Sequence, residues 1–368
     1  MLELRIKKEE LLKGVSQTQS IAEKRSSMPI LSNILLEVRD SRLAITATDL
    51  EISFRGFYEA EVQNEGRLTV PARKFYEIVR GMVDEDLVLK ETKQSGLNLI
   101  GSRANYQLLG LPPDDFPPMP DYEQVDYMEM SSELMVDMID KTIFSVSLEE
   151  TRYNLAGVFL EKYEKENKSF LRMVSTDGHR LSLVEKESAE ARQMTLEKGV
   201  IISRKGLNEM RKMAESEKSL KMGFSTNSAV ARGEDGILVM RLLEGRFPDY
   251  QLVIPKKIDK TMKASRKEFL EMLRRISVIS PSVLFTLSPK ELQLSAVNPD
   301  LGEAKETLPV EYEGDQLEMG FNPRYFIEAG SALKSEVITI GFQAVGNPCV
   351  VSSPEDSGFT GVIMPIKI

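Results

Sequence analysis

The sequence contains no tryptophan, one cysteine and one histidine in 368 residues. A single cysteine, Cys349, closes no internal disulfide and builds no thiolate cluster, a usage that fits a reducing compartment. The single histidine, His179, lies 170 residues from that cysteine, which gives no metal-ligand spacing. The glycine-rich patterns GxxxxGK[ST] and GxGxxG are both absent, which disfavours a nucleotide or dinucleotide site. No apolar run approaches the roughly 18–20 residues of a membrane span. The opening MLELRIKKEELLKG lacks the apolar stretch of a signal peptide and reads as an amphipathic helix or a strand leading into one. These absences lead to the expectation of a cytoplasmic protein with no membrane contact, no metal and no cofactor.

Hydrophobic residues make up 41% and charged residues 29% of the chain, as in an ordinary globular protein. Its length suits two or three domains. The net charge of −9 argues against tight nucleic-acid binding by simple attraction. The positive charge is nevertheless clustered. It falls on predicted helices, while acid collects in DEDLVLKE, EKYEKEN, EKESAEAR and SSPEDSG.

The chain repeats itself with a period of about 120–130 residues, the mark of one architecture used several times. A first copy holds TVPARKFYEIVRGM and then LGLPPDDFPPMP. A second holds VIISRKGLNEMRKMAE and LLEGRFPDYQLVIP. A third holds ASRKEFLEMLRRIS, MGFNPRYFIEAGSALK and the closing GVIMPIKI. The boundaries read 1–125, 126–255 and 256–368. Each copy gives helix, strands, helix, strands, with alternating apolar and polar residues in the strands, so the fold class is α+β with antiparallel sheets and six helices. Pro71 stands just ahead of one helix and Gly81 ends it. Ser131 or Ser132 and Ser203 are placed as helix caps. Copy three is expected to form helices over 266–277 and 322–334. Arg73, Lys74, Arg80, Arg204, Lys205, Arg211, Lys212, Arg266, Lys267, Arg274, Arg275, Arg324 and Lys334 are assigned to the helices. The reading is six basic helices in an acidic remainder.

STDGHRLSLVE contains His179. Asp177 could orient it and Arg180 could steady an oxyanion, which would make an enzyme with a pH-dependent activity near the imidazole pKa of about 6.5. The alternative is a β-turn, since Asp-Gly between strands is a hairpin signal. No serine or cysteine nucleophile supports the first reading.

TVPARKFYEIVRG, STDGHRLSLVE, GRFPDYQLVIP, GFNPRY and VIMPIKI, with PILSNILLEV and RYNLAGVFLE, together resemble the bacterial DNA polymerase III beta subunit family, the sliding clamps. The likeness runs through essentially the whole chain in order. It implies three repeated clamp domains and a head-to-tail homodimer closing a ring, with helices inside and sheets outside. It implies a non-catalytic processivity factor that holds double-stranded DNA topologically, without sequence readout. Arg25, Arg73, Glu149, Arg152, Tyr153 and Asn154 would lie toward DNA. The loop before Arg152 reads Leu148-Glu149-Glu150, two acids where the resemblance implies a neutral or basic stretch.

The resemblance further implies a groove that takes a short peptide with apolar anchors from the replicative polymerase, the clamp loader and other proteins with such motifs. Its residues would be Leu155, Thr176, Gly178, His179, Arg180, Leu181, Pro248, Leu252, Val253, Val362 and Met364, with Asn322, Tyr325 and Pro365 nearby. The aliphatic residues and prolines would form the slot, and His179 and Arg180 a polar rim. Leu252 stands where the family commonly has a basic residue.

Overall fold

The computed structural model describes all residues except 23–26, 40, 94–95, 150, 195, 197, 368 and the side chain of Gln193. The first stretch of chain forms β1 (Glu3–Lys7), α1 (Lys8–Thr18), β2 (Asn33–Arg39), β3 (Arg42–Thr48), β4 (Ile52–Glu59), β5 (Glu61–Asn64), β6 (Gly66–Pro71), α2 (Ala72–Gly81), β7 (Asp86–Glu91), β8 (Gly96–Ile100) and β9 (Asn105–Leu109). The second forms β10 (Met128–Ser131), α3 (Ser132–Asp140), β11 (Gly157–Lys165), β12 (Lys168–Thr176), β13 (Arg180–Glu187), β14 (Val200–Ser203), α4 (Arg204–Glu215), β15 (Ser219–Phe224), β16 (Ser228–Arg232) and β17 (Gly236–Arg241). The third forms β18 (Lys260–Ser265), α5 (Arg266–Ile276), β19 (Val283–Ser288), β20 (Glu291–Asn298), β21 (Gly302–Pro309), β22 (Leu317–Phe321), α6 (Pro323–Ser331), β23 (Val337–Phe342), β24 (Cys349–Ser352) and β25 (Phe359–Ile363). The threefold order of helix, strands, helix, strands is therefore present, with six α-helices among the described residues.

The repeat reaches individual hydrogen bonds. In the turn after the third long strand of each copy, one side-chain oxygen accepts two backbone N–H groups. Asp49 Oδ1 takes those of Glu51 and Ile52 at 3.0 and 2.6 Å, and Asp177 Oδ1 those of His179 and Arg180 at 3.0 and 3.1 Å. Asn298 Oδ1 takes those of Asp300 and Leu301 at 2.9 and 3.2 Å. Short Asp and Asn side chains favour this geometry because they reach the amides two and three residues on.

The chain divides into two compact units, residues 1–135 with 205–242, and 136–204 with 243–368. In the first unit a five-stranded sheet runs β5-β1-β7-β8-β9 and an eight-stranded sheet runs β10-β15-β16-β17-β4-β3-β2-β6. The larger sheet is fused from two copies through β4 and β17, with Ile52 opposite Met240 and Gly56 opposite Gly236. In the second unit an eight-stranded sheet runs β14-β11-β12-β13-β25-β24-β23-β18 and a four-stranded sheet runs β21-β20-β19-β22. It is fused in the same way, through β13 and β25, with Arg180 opposite Ile363 and Val184 opposite Phe359. All of these pairings are antiparallel. One-sided strands follow the expected alternation, as in β19, where every second residue is buried. An aromatic cluster of Phe269, Phe285, Phe321 and Phe326, with ring centroids 5.1–6.3 Å apart, fills the core between α5, α6 and the four-stranded sheet.

Three expectations need correction. First, the helices are not uniformly basic. α3 carries Glu133, Asp137 and Asp140 and no lysine or arginine. Several cations elsewhere are paired along their own helix: Arg73 and Lys74 with Glu77 at 3.2 and 2.9 Å, Arg211 with Glu215 at 2.6 Å, Lys212 with Glu209 at 2.8 Å and Arg324 with Glu328 at 2.7 Å. Glutamates three and four residues away share the cation's face and offset it. Second, α6 ends at Ser331, so Lys334 lies beyond it. Asp356 Oδ2 captures the N–H groups of Lys334 and Ser335 at 2.9 and 3.1 Å, which draws the chain off the helical path. Third, the proline-rich segment after β9 is more than a stop. It makes a short 3-10 turn over Pro113–Asp115, and Phe116 then packs with Ile30, Leu31 and Leu35. Met119, Tyr122, Val125 and Tyr127 cover Val230, Ile237 and Val239 on the fused sheet.

Candidate functional site: a groove floored by the second fused sheet

The turn joining β12 to β13 organises this site. Thr176 Oγ1 donates to the Arg180 carbonyl at 2.6 Å and accepts the Gly178 N–H at 3.1 Å. Gly178 has φ +90°, a left-handed conformation that favours glycine, and a Cβ there would stand 2.8 Å from the tip of the Arg152 side chain, which can move aside. The carbonyl of the exposed His179 accepts the Met364 N–H at 2.9 Å, which ties the turn to the end of β25. Both Asp177 carboxylate oxygens are engaged, one by two backbone amides and the other by Arg180 Nε at 3.0 Å. Asp177 is therefore a turn former, as the β-turn reading held, and does not orient the imidazole.

Arg180 departs from the expected polar rim. Its side chain is only 7% exposed. The guanidinium also bonds the Glu328 carboxylate on α6 and the Phe144 carbonyl, and lies 4.6 Å from the Tyr325 ring centroid. Every face of the fork is taken, which suits a planar donor used as a brace. Arg180 thus fixes α6, through Tyr325 and Glu328, to the turn. Asn322 caps that helix, its Oδ1 accepting the Arg324 N–H at 3.0 Å.

Leu155, Leu181 and Val362 form a buried floor with Val174, Leu183, Ile201, Phe247 and Tyr250. Phe247 stacks on Phe159 with centroids 5.0 Å apart, and the Tyr250 hydroxyl accepts from Arg172 at 2.7 Å. The segments that carry this floor also expose apolar side chains: Leu252 at 79% and Val253 at 47%, just after Tyr250, and Met364 at 38%, just after β25. Pro248 is exposed and Pro365 half-buried. Solvated leucine and valine beside a buried apolar floor have the character of a docking slot. Phe144, Phe159, Phe247, Tyr250 and Glu328 were not among the sequence candidates. A signal for two of them existed, because Phe247 and Tyr250 of FPDY have counterparts in FPPMPDY of the first copy.

The DNA-side candidates are distributed differently. Arg73 is exposed on α2 in the first unit, in its pair with Glu77. Arg25 lies outside the described residues, as does Glu150. In the second unit Arg152 bonds Glu149 at 3.0 Å and the Asp177 carbonyl at 3.1 Å. Tyr153 is exposed beside it. Asn154 Nδ2 donates to the Arg246 carbonyl at 3.0 Å and so secures the segment leading to Phe247. Cys349 is buried, and burial pushes its thiol well above the ordinary range, so it is inert.

The family models for the N-terminal, central and C-terminal domains of the DNA polymerase III beta subunit match residues 2–120, 129–249 and 251–367 in turn. The chain belongs to the DNA polymerase III beta subunit family. It is 33% identical over 377 residues to the beta sliding clamp of Caulobacter vibrioides, covering 100% of both chains. Its fold matches the crystal structure of the C. crescentus beta sliding clamp with polyethylene glycol bound to a putative beta-motif tethering region. That match has a TM-score of 0.93 and 32% identity, and covers 100% of this chain and 99% of the other. A sliding clamp from Bartonella birtlesii, solved bound to griselimycin, matches with a TM-score of 0.93 at 29% identity over 100% of both chains. The three clamp domains, the sliding-clamp function and the non-catalytic role of the family therefore apply to this chain. Among the described residues no helix is long and apolar enough to cross a membrane.

Proposed function

We propose that two copies of this chain close head to tail into a ring around double-stranded DNA and hold the replicative polymerase there. Three domains per copy would divide at 1–125, 126–255 and 256–368. The observation that carries this reading is the pairing rule of the fused sheets. At β4–β17 and again at β13–β25, the fourth strand of one repeat pairs with the last strand of the next. The same rule leaves β21 of the third repeat and β9 of the first as edge strands. A second copy satisfies both edges at once, because a heterologous contact closes when its rotation does. Hydrogen bonds at such an edge would otherwise be open to unspecific pairing.

The duplex would be held by topology. Arg73, Arg152 and Tyr153 would meet phosphate without reading sequence, in keeping with an acidic chain. The test is retention after loading by the cognate clamp loader. The clamp should stay on closed circular DNA at moderate salt and leave when the circle is cut. Equal loss from both would overturn encirclement.

The slot around His179, Leu252, Val253 and Met364 would take apolar peptide anchors from the polymerase, the clamp loader and other proteins of DNA metabolism, in a cytoplasmic setting. Thr176, Gly178, Arg180, Asn322 and Tyr325 would shape it from behind, with Leu155, Leu181 and Val362 beneath and Pro248 and Pro365 at its margin. His179→Ala combined with Met364→Ala is expected to weaken a polymerase-derived peptide by about 1–3 kcal/mol, the scale of interface anchors. Calorimetry on the dimer measures this, and an unchanged dissociation constant with intact dimer mass would place the peptide elsewhere.

A further inference from the structure

We propose that Glu149 is a resident anion that competes with DNA phosphate for the Nε edge of Arg152, and that its displacement is sensed in the peptide groove. The inference rests on the reading of Arg152 as DNA-facing and adds to it. Arg152 Nε bonds Glu149 Oε2 at 3.0 Å while Arg152 Nη1 donates to the Asp177 carbonyl at 3.1 Å. One guanidinium therefore bridges two segments. The first is the loop carrying Glu149, which is stiffened by the Glu149 N–H on Ser147 Oγ at 3.2 Å and by the Ser147 N–H on the Leu155 carbonyl at 3.0 Å. The second is the Asp177-Gly178-His179 turn, which holds Met364 through the His179 carbonyl. Leu155, on the floor of the groove, in turn donates its N–H to the Arg152 carbonyl at 2.9 Å.

The Arg152 and Glu149 side chains are 43% and 59% exposed, so the pair is screened and exchangeable. A phosphate presents the same paired oxygens to the fork as a carboxylate does. A phosphate that takes the fork side-on, through Nε and its neighbouring Nη, occupies the place of Glu149 and turns the guanidinium that also holds the Asp177 carbonyl. Losing the carbonyl removes a bond from the turn that contains His179. The two sites then share one ligand, and thermodynamic linkage makes any effect reciprocal.

The chain supplies its own reporter. His179 is the only histidine, so a ¹³C-labelled imidazole gives one resonance from the turn itself. A fluorescent blunt duplex of about 20 base pairs at low salt, the length scale of a short site, serves as the probe for the dimer. Glu149→Gln is expected to tighten duplex binding about two- to five-fold, the range open to an exposed ion pair. Glu355→Gln, an exposed carboxylate remote in sequence, controls for net charge. Arg152→Gln should weaken binding and make Glu149→Gln silent. Duplex should move the His179 resonance in the native protein and leave it unmoved in Arg152→Gln. If Arg152→Gln leaves duplex affinity unchanged, the DNA-facing reading itself fails. If it weakens binding but Glu149→Gln matches the charge control, or the His179 resonance ignores the duplex, the relay is overturned and the contact stands.

Discussion

Lys141→Ala is expected to destabilise the second unit by about 3–5 kcal/mol, the cost of removing one partner from a desolvated ion pair. Lys141 is 2% exposed, and its ammonium lies 2.9 Å from Asp137 and 2.9 Å from Asp356. Asp137 also receives Lys334 at 2.9 Å and Lys186 at 3.6 Å. The cluster joins α3 to the segment between β24 and β25, so it links elements of the second and third repeats. Alanine would leave Asp356 buried with only backbone donors. Lys141→Met combined with Asp356→Asn, which keeps an oxygen for the N–H groups of Lys334 and Ser335, should cost much less, since the penalty comes from an unpaired charge. Urea unfolding of both variants measures the difference, and equal midpoints for the single variant and the native protein would refute the account.

The same cluster predicts a pH dependence. Burial alone would raise the pKa values of Asp137 and Asp356. Hydrogen bonds from Lys141 and Lys334 to Asp137, and from Lys141 and the backbone of Ser335 and Lys334 to Asp356, outweigh it and hold both below the usual carboxylate range. Groups with a depressed folded pKa bind fewer protons folded than unfolded. Their contribution is complete above the unfolded value of about 3.9 and is lost as pH falls through the lower folded one. The urea midpoint should therefore fall between pH 5 and pH 3, and less so in the uncharged double variant.

How much a sequence discloses follows from how local the cause is. The turn at Asp177 was legible because its determinants, Thr176, Asp177 and Gly178, are neighbours, and Thr48 and Asp49 repeat the first two. The role of Arg180 was not, because Glu328 is 148 residues away and only the fused sheet brings them together. An arginine beside apolar residues reads as a rim until its partners are known. The helix charges mislead for a nearer reason: glutamates three and four residues away offset the cations. The length of α6 depended on Asp356, which reaches Lys334 from 22 residues downstream. Periodicity carried the three repeats, but the fusion of their sheets is a tertiary property that no strand announces alone.

Leu109→Asp with Leu301→Asp is expected to convert the dimer to monomers, raising its dissociation constant on the order of 10³-fold if each of two equal interfaces loses about 2 kcal/mol. The choice follows from the repeat. Arg180, Ile52 and Leu301 occupy the same place after the shared turn, since each donates its backbone N–H to the Asx oxygen three residues back. Ile52 and Arg180 pair near the C-terminal ends of β17 and β25, with Met240 and Ile363. By the same rule Leu301 should come opposite the C-terminal end of the partner's β9, where Leu109 lies. Both leucines are exposed in the single chain, at 65% and 66%, as side chains awaiting cover would be. Aspartate at both places sets like charges against each other across the joint, a destabilising arrangement between facing strands. The control is complementary charge: Leu109→Lys with Leu301→Asp should recover dimer relative to the double aspartate. Sedimentation at several concentrations reads the equilibrium, and circular dichroism checks that the monomer is folded. A folded double aspartate that remains dimeric would mean that the ring closes through other edges. Monomers from both variants alike would mean that these leucines matter to the interface without facing each other.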